Sequence, residues 1–102
     1  MNFVMTVDQI SVESIFHEMG YTSSTDYAIK KVREELLREL KVCSDAISVF
    51  EKKYGMGYEE FYNRFNELTQ FGLIEREDDS MDWRAELTVL RGVEKRLTKL
   101  TI

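Results

Sequence analysis

The sequence predicts a mainly α chain: a short N-terminal strand, a short helix, one long helix and a C-terminal helical pair, assembled as an intertwined dimer. Three observations predict it. None of the 102 residues is proline, so only glycine forces a helix to stop. Apolar residues recur at helical spacing over 29–54 and again over 83–100. A helix covering the first of these stretches from Ser24 or Thr25 to Tyr54, at ~1.5 Å per residue, extends ~45 Å. That exceeds the diameter of a small domain, so part of its seam should meet another chain.

Residues 2–8, Asn-Phe-Val-Met-Thr-Val-Asp, are rich in β-branched and aromatic types and read as one strand. Phe3, Met5 and Val7 fall on one face, and Asn2, Val4, Thr6 and Asp8 on the other. A lone strand cannot satisfy its own backbone, and pairing with the same strand of a second copy is the simplest remedy. Ser11 is a good N-cap for a helix from Val12 to Met19, whose Val12, Ile15, Phe16 and Met19 share a face. Gly20 supplies the left-handed residue that closes it.

Ser23 and Asp26 have capping-box spacing, so the long helix should start at Ser24 or Thr25. It should run to Tyr54, before Gly55-Met56-Gly57. Its stripe is Ile29, Val32, Leu36, Leu40, Cys43, Ile47, Phe50 and Tyr54, heptad-like with one stutter. Gly57 can cap a third helix bearing Phe61, Tyr62, Phe65 and Leu68, extending to about Gln70. Phe71–Ile74 reads as a turn or short extended piece and Glu75–Asp79 as an acidic connector. Asp79 or Ser80 then caps a last helix from Met81 to Leu100, lined by Trp83, Leu87, Leu90, Val93, Leu97 and Leu100. The chain divides into a dimerisation region, 1–54, and a partner-binding region, 55–102.

Composition narrows the function classes. Fourteen basic and nineteen acidic side chains leave a net charge of −5, which does not favour broad binding to nucleic acid. One cysteine excludes an intrachain disulfide and suits a reducing cytosol. No apolar run approaches the ~18 residues of a membrane span. The N-terminus has no basic region followed by a cleavage site, so a cytoplasmic location is expected.

Little in the sequence points to catalysis, a cofactor or a metal. His17, the only histidine, has Glu13 one turn before it but no spacing to further ligands, and reads as a surface residue. Cys43 lies in the long stripe and reads as a buried, inert thiol. Gly55-Met56-Gly57 lacks the residues of a phosphate loop. The aromatic cluster Tyr54, Tyr58, Phe61, Tyr62, Phe65 and Phe71 has core spacing. Residues 75–82 hold five acids and one base, whereas the last helix ends in Arg91, Lys95, Arg96 and Lys99. That order complements a helix dipole. It also suits docking of Trp83 and the acids on a basic partner.

The segment Met5-Thr6-Val7 followed by Ile10–Met19, and then Gly20-Tyr21-Thr22-Ser23-Ser24-Thr25-Asp26-Tyr27-Ala28-Ile29, resembles the ribbon–helix–helix class. In that class two chains pair their strands and interlock four helices, and the ribbon enters the DNA major groove. The resemblance implies groove contacts for Asn2, Val4 and Thr6. It puts Ser23, Ser24 and Thr25 near phosphate, with Lys30 and Lys31 the nearest bases. The strand departs from the pattern by having no Arg or Lys and ending in Asp8.

Residues Phe50–Phe61 and the Glu77-Asp78-Asp79-x-x-Asp82-Trp83 stretch resemble small acidic archaeal and bacterial proteins, many of them antitoxin-like. The resemblance implies a non-enzymatic homodimer that neutralises a basic toxin, with a DNA-binding regulator or a structural dimer as alternatives. Partner contacts fall to Asp78, Asp79, Asp82, Trp83, Phe61, Tyr62 and Phe65. Dimer contacts fall to Phe3, Met5, Val7, Ile29, Val32, Leu36, Leu40, Cys43 and Ile47.

Overall fold

The computed structural model describes residues 7–100, with side chains from Ile10 onward. It is mainly helical: α1 (Val7–Glu18), α2 (Ser24–Tyr54), α3 (Tyr58–Asn63), a single 3-10 turn (Phe65–Glu67) and α4 (Leu73–Leu100). Contacts divide the chain into two compact units, Met1–Glu35 and Leu36–Ile102, with the boundary inside α2. The expected division after Tyr54 would separate Tyr54 and Ile47 from the core they share with Phe61, Leu68 and Trp83.

In the first unit, Val7 and Asp8 open α1 and do not belong to a strand. A helix satisfies its backbone within the segment, whereas a strand would need a partner. Residues 2–6 lie outside the described residues, and the expected strand contacts of Asn2, Phe3, Val4, Met5 and Thr6 with them. Ser11 therefore lies inside α1 and is not its cap. The end of α1 follows expectation. Gly20 adopts φ +92°, Tyr21 N–H donates to Phe16 C=O at 2.9 Å and Gly20 N–H to His17 C=O at 3.0 Å. This is the Schellman arrangement.

The long helix spans the expected residues. Ser23 Oγ accepts from Asp26 N–H at 3.0 Å, the N-cap bond that the sequence suggests. At the other end Gly55 takes φ +70°, and its N–H reaches Glu51 C=O at 2.8 Å.

The second unit is built around an antiparallel pairing of α2 with α4. Tyr54 bonds Asp79, and Phe50 stacks on Trp83 with ring centres 5.5 Å apart. Partners thus advance along α4 as they retreat along α2. Trp83 is fully buried. It meets Phe50 and Tyr54 from α2, and Tyr58 and Phe61 from α3. Phe61, Leu68, Ile47 and Tyr54 complete the buried cluster.

Two boundaries differ from expectation. The third helix stops at Asn63, not near Gln70, and its chain continues as the 3-10 turn. The fourth begins at Leu73, so the supposed connector Glu75–Asp79 is helical. Glu75 explains the early start: its carboxylate accepts from Gly72 N–H at 3.3 Å. This is the reach-back half of a capping box, made by the third helical residue. Asp79 and Ser80 are consequently interior residues, not caps.

Buried Arg76 explains the break in the third helix. Its guanidinium donates to Phe65 C=O and, at 3.1 Å, to Phe71 C=O. It also stands 5.1 Å from the centre of the Phe65 ring. Carbonyls released by the irregular segment thus gain a charged donor.

Truncating Trp83→Ala should destabilise the fold by ~3–5 kcal/mol, the range for loss of a buried large aromatic side chain. Gly55→Ala should cost only ~1–2 kcal/mol, through the left-handed backbone alone. Urea unfolding monitored by helical circular dichroism ranks the two.

Candidate protein-binding site

Two clusters of polar groups hold helices in place, and an open groove lies between elements of the second unit. The first cluster joins the paired helices. Lys53 Nζ lies 2.6 Å from Asp79 Oδ2 and 2.7 Å from Glu75 Oε2. Tyr54 O–H donates to the same Asp79 oxygen at 2.6 Å. Burial works against ionisation of Asp79, but the hydrogen bonds from Lys53 and Tyr54 outweigh it and hold its carboxyl below the usual range. Tyr54 is pushed up to about 12, first by burial and then by its bond to the Asp79 carboxylate and that group's charge. Lys53 is raised by hydrogen bonds to Asp79 and Glu75.

The second cluster closes the α1–α2 corner. Glu13 accepts from Ser24 N–H at 3.0 Å and from Ser24 O–H. These bonds to Ser24 hold the Glu13 carboxyl below its ordinary value. A carboxylate from α1 and the hydroxyl of Ser23 therefore satisfy backbone donors at the start of α2. Phe16 and Tyr27 each pack edge to face with Tyr21 and lie tilted to each other beneath the corner, with centroids 5.0–6.3 Å apart.

The open groove lies between α3, the following turn and the first turns of α4. It encloses about 550 Å³ and is lined by Tyr62, Phe65, Asn66, Glu77, Ser80 and Met81. Tyr62 is 63% exposed and Met81 64% exposed. Two large apolar side chains thus stand open beside a carboxylate. Asp78 and Asp82, also exposed, continue the acidic character along α4. No ion pair among the described residues engages Glu77, Asp78 or Asp82.

The residues expected at a partner surface therefore separate. Tyr62 and Phe65 come together in the groove, and Asp78 and Asp82 are exposed. Phe61 and Trp83 are fully buried and act as core, while Asp79 is tied to Lys53 and Tyr54. Periodicity places an aromatic residue on a face but does not say whether that face is covered.

The expected dimer seam separates too. Leu36, Cys43 and Ile47 are buried within the second unit, and Leu40 is partly buried, so this chain already covers them. Ile29 and Val32 remain exposed, and Val7 lies in the α1 backbone. The Cys43 thiol is raised by burial, donates to Leu40 C=O at 3.3 Å and is poorly suited to attack.

Among the residues assigned to phosphate, Ser23 and Ser24 are occupied at the α1–α2 corner and Thr25 is exposed. Lys30 pairs with Asp26 at 3.2 Å and Lys31 with Glu34 at 3.5 Å. Among the described residues, no cluster of three or more His, Cys, Asp or Glu could hold a metal ion. None of the described helices is long and apolar enough to cross a membrane.

Sequence reasoning missed Glu77, Asn66 and Met81 as groove residues, and Glu13 and Arg76 as structural ones. Arg76 did carry a signal: it precedes Ser80, Trp83 and Leu87 at helical spacing on the core face. Glu13 carried none, because its bond spans eleven residues.

The tie at Asp79 has a defined pH dependence. A carboxyl held below its unfolded value, ~3.9 for Asp, contributes stability above that value and loses it as pH falls through the folded one. Urea stability should therefore fall on acidification from neutral pH to about pH 3. Lys53→Met should make that fall smaller; an unchanged fall would remove the tie as its source. Comparison with protein-family models, with curated proteins and with solved structures finds no match for the chain.

Proposed function

We propose that this chain is a non-enzymatic protein-binding component, antitoxin-like in role, whose groove takes a basic amphipathic segment of a toxin partner. The observation that carries this reading is the exposure of Tyr62 and Met81 beside Glu77. Aromatic and methionine side chains provide contact area that water solvates poorly. A nearby carboxylate without an internal ion pair favours a partner bearing Lys or Arg.

Support for binding DNA through the start of α2 is weaker. Glu13 already occupies the position that a phosphate would take at Ser24. Lys30 and Lys31 are paired with acids on their own helix.

Under this reading, the neighbouring reading frame encodes a small basic protein that arrests growth when expressed alone. Co-expression of this chain should restore growth. Met81→Asp combined with Glu77→Lys should weaken complex formation by at least about tenfold and abolish rescue. A harmless neighbour, or full rescue by the double variant, would overturn the assignment.

A further inference from the structure

A second surface lies outside the groove of Tyr62 and Met81. Asp82, Ala85, Val89 and Arg96 are spaced by three, four and seven residues and so share one face of α4. All four are exposed. Beside them, a groove of about 410 Å³ between α2 and α4 is lined by Ala46, Val49, Phe50, Asp82, Ala85 and Glu86. Val49 is 64% exposed and Val89 42% exposed. The paired helices thus bury one seam in the core and leave a second, parallel seam open.

Charge along this face changes sign at Val89. Asp82 and Glu86 precede it, and Arg96 and Lys99 follow it. Asp82 and Arg96 lie at equal sequence distances on either side. None of Asp82, Arg96 and Lys99 makes an ion pair among the described residues. A Cβ at Gly92 would lie 3.3 Å from Arg96 Nη1, so the missing side chain leaves room for this guanidinium along the helix.

We propose that this face of α4 takes a second copy of the chain, with the two α4 helices antiparallel about a twofold axis at Val89. A partner of uniform charge would be attracted to one half of the face and repelled by the other. A parallel copy would oppose acid to acid and base to base. An antiparallel copy sets the second copy's Arg96 against Asp82 and Glu86, and the symmetry repeats that pairing at the other end. It also covers Val89 and Val49 with apolar surface. These contacts do not use the Tyr62–Met81 groove, so self-association and toxin binding fail independently.

Sedimentation equilibrium of the full chain at low salt tests the proposal, with helicity checked by circular dichroism. The wild type should be a dimer at ~100 µM, corresponding to a Kd in the micromolar range or below. Asp82→Arg and Arg96→Glu, both at exposed positions, should each raise that Kd by at least about tenfold, because symmetry doubles every reversal. Combining them should recover at least about threefold of the lost affinity relative to either single variant, by exchanging the Asp82 and Arg96 signs while Glu86 keeps its own. A monomeric wild type would overturn the proposal, leaving the groove to another occupant. So would a dimer indifferent to either reversal, or a folded double variant that fails to recover.

Discussion

The second unit depends on the burial of Trp83. A side chain of that size needs several elements to exclude water from it, and here α2 supplies Phe50 and Tyr54 while α3 supplies Tyr58 and Phe61. Those contacts fix which residue of α2 faces which residue of α4. The polar tie among Lys53, Tyr54 and Asp79 falls one helical turn further along the same register. A slip of either helix would lose the ring stacking and the tie together, so dispersion and electrostatics select the same alignment.

Acidic residues within one short stretch have different roles because helical geometry distributes them around an axis. Glu75 caps its own helix and reaches Lys53, and Asp79 bonds across to α2. Glu77 lines the groove with Tyr62 and Met81, and Asp82 borders the other groove with Ala85. A count of five acids in eight residues cannot separate these roles. The distinction arises from the ~100° turned per residue, which sends neighbours in sequence to different surroundings.

This also explains how far the sequence could be read. Helix ends set by local chemistry were legible: Gly20 and Gly55 adopt the left-handed backbone, and Ser23 caps α2. The start of α4 was misplaced because the acid run read as a polar linker, although Glu75 within it carries the cap. Phe61, Tyr62 and Phe65 were read onto one face, but the sequence could not separate buried Phe61 and Trp83 from Tyr62 and Phe65, which line the groove. Cover over a helical face comes from residues distant in sequence, and a single sequence gives no register between α2 and α4. Glu13 and Arg76 act across loops for the same reason.

The antiparallel register has a kinetic consequence. A tie close to the connecting segment, Tyr54 to Asp79, joins residues 25 apart in sequence. Each successive pair along the two helices closes a longer span, so assembly outward from this end adds only a small loop-closure cost at each step. The pairing is local compared with a sheet that brings distant strands together, a topology associated with fast folding. With no proline anywhere in the chain, no prolyl isomerisation can delay it. Contacts at the aromatic corner of the second unit thus close with a small loop-closure cost.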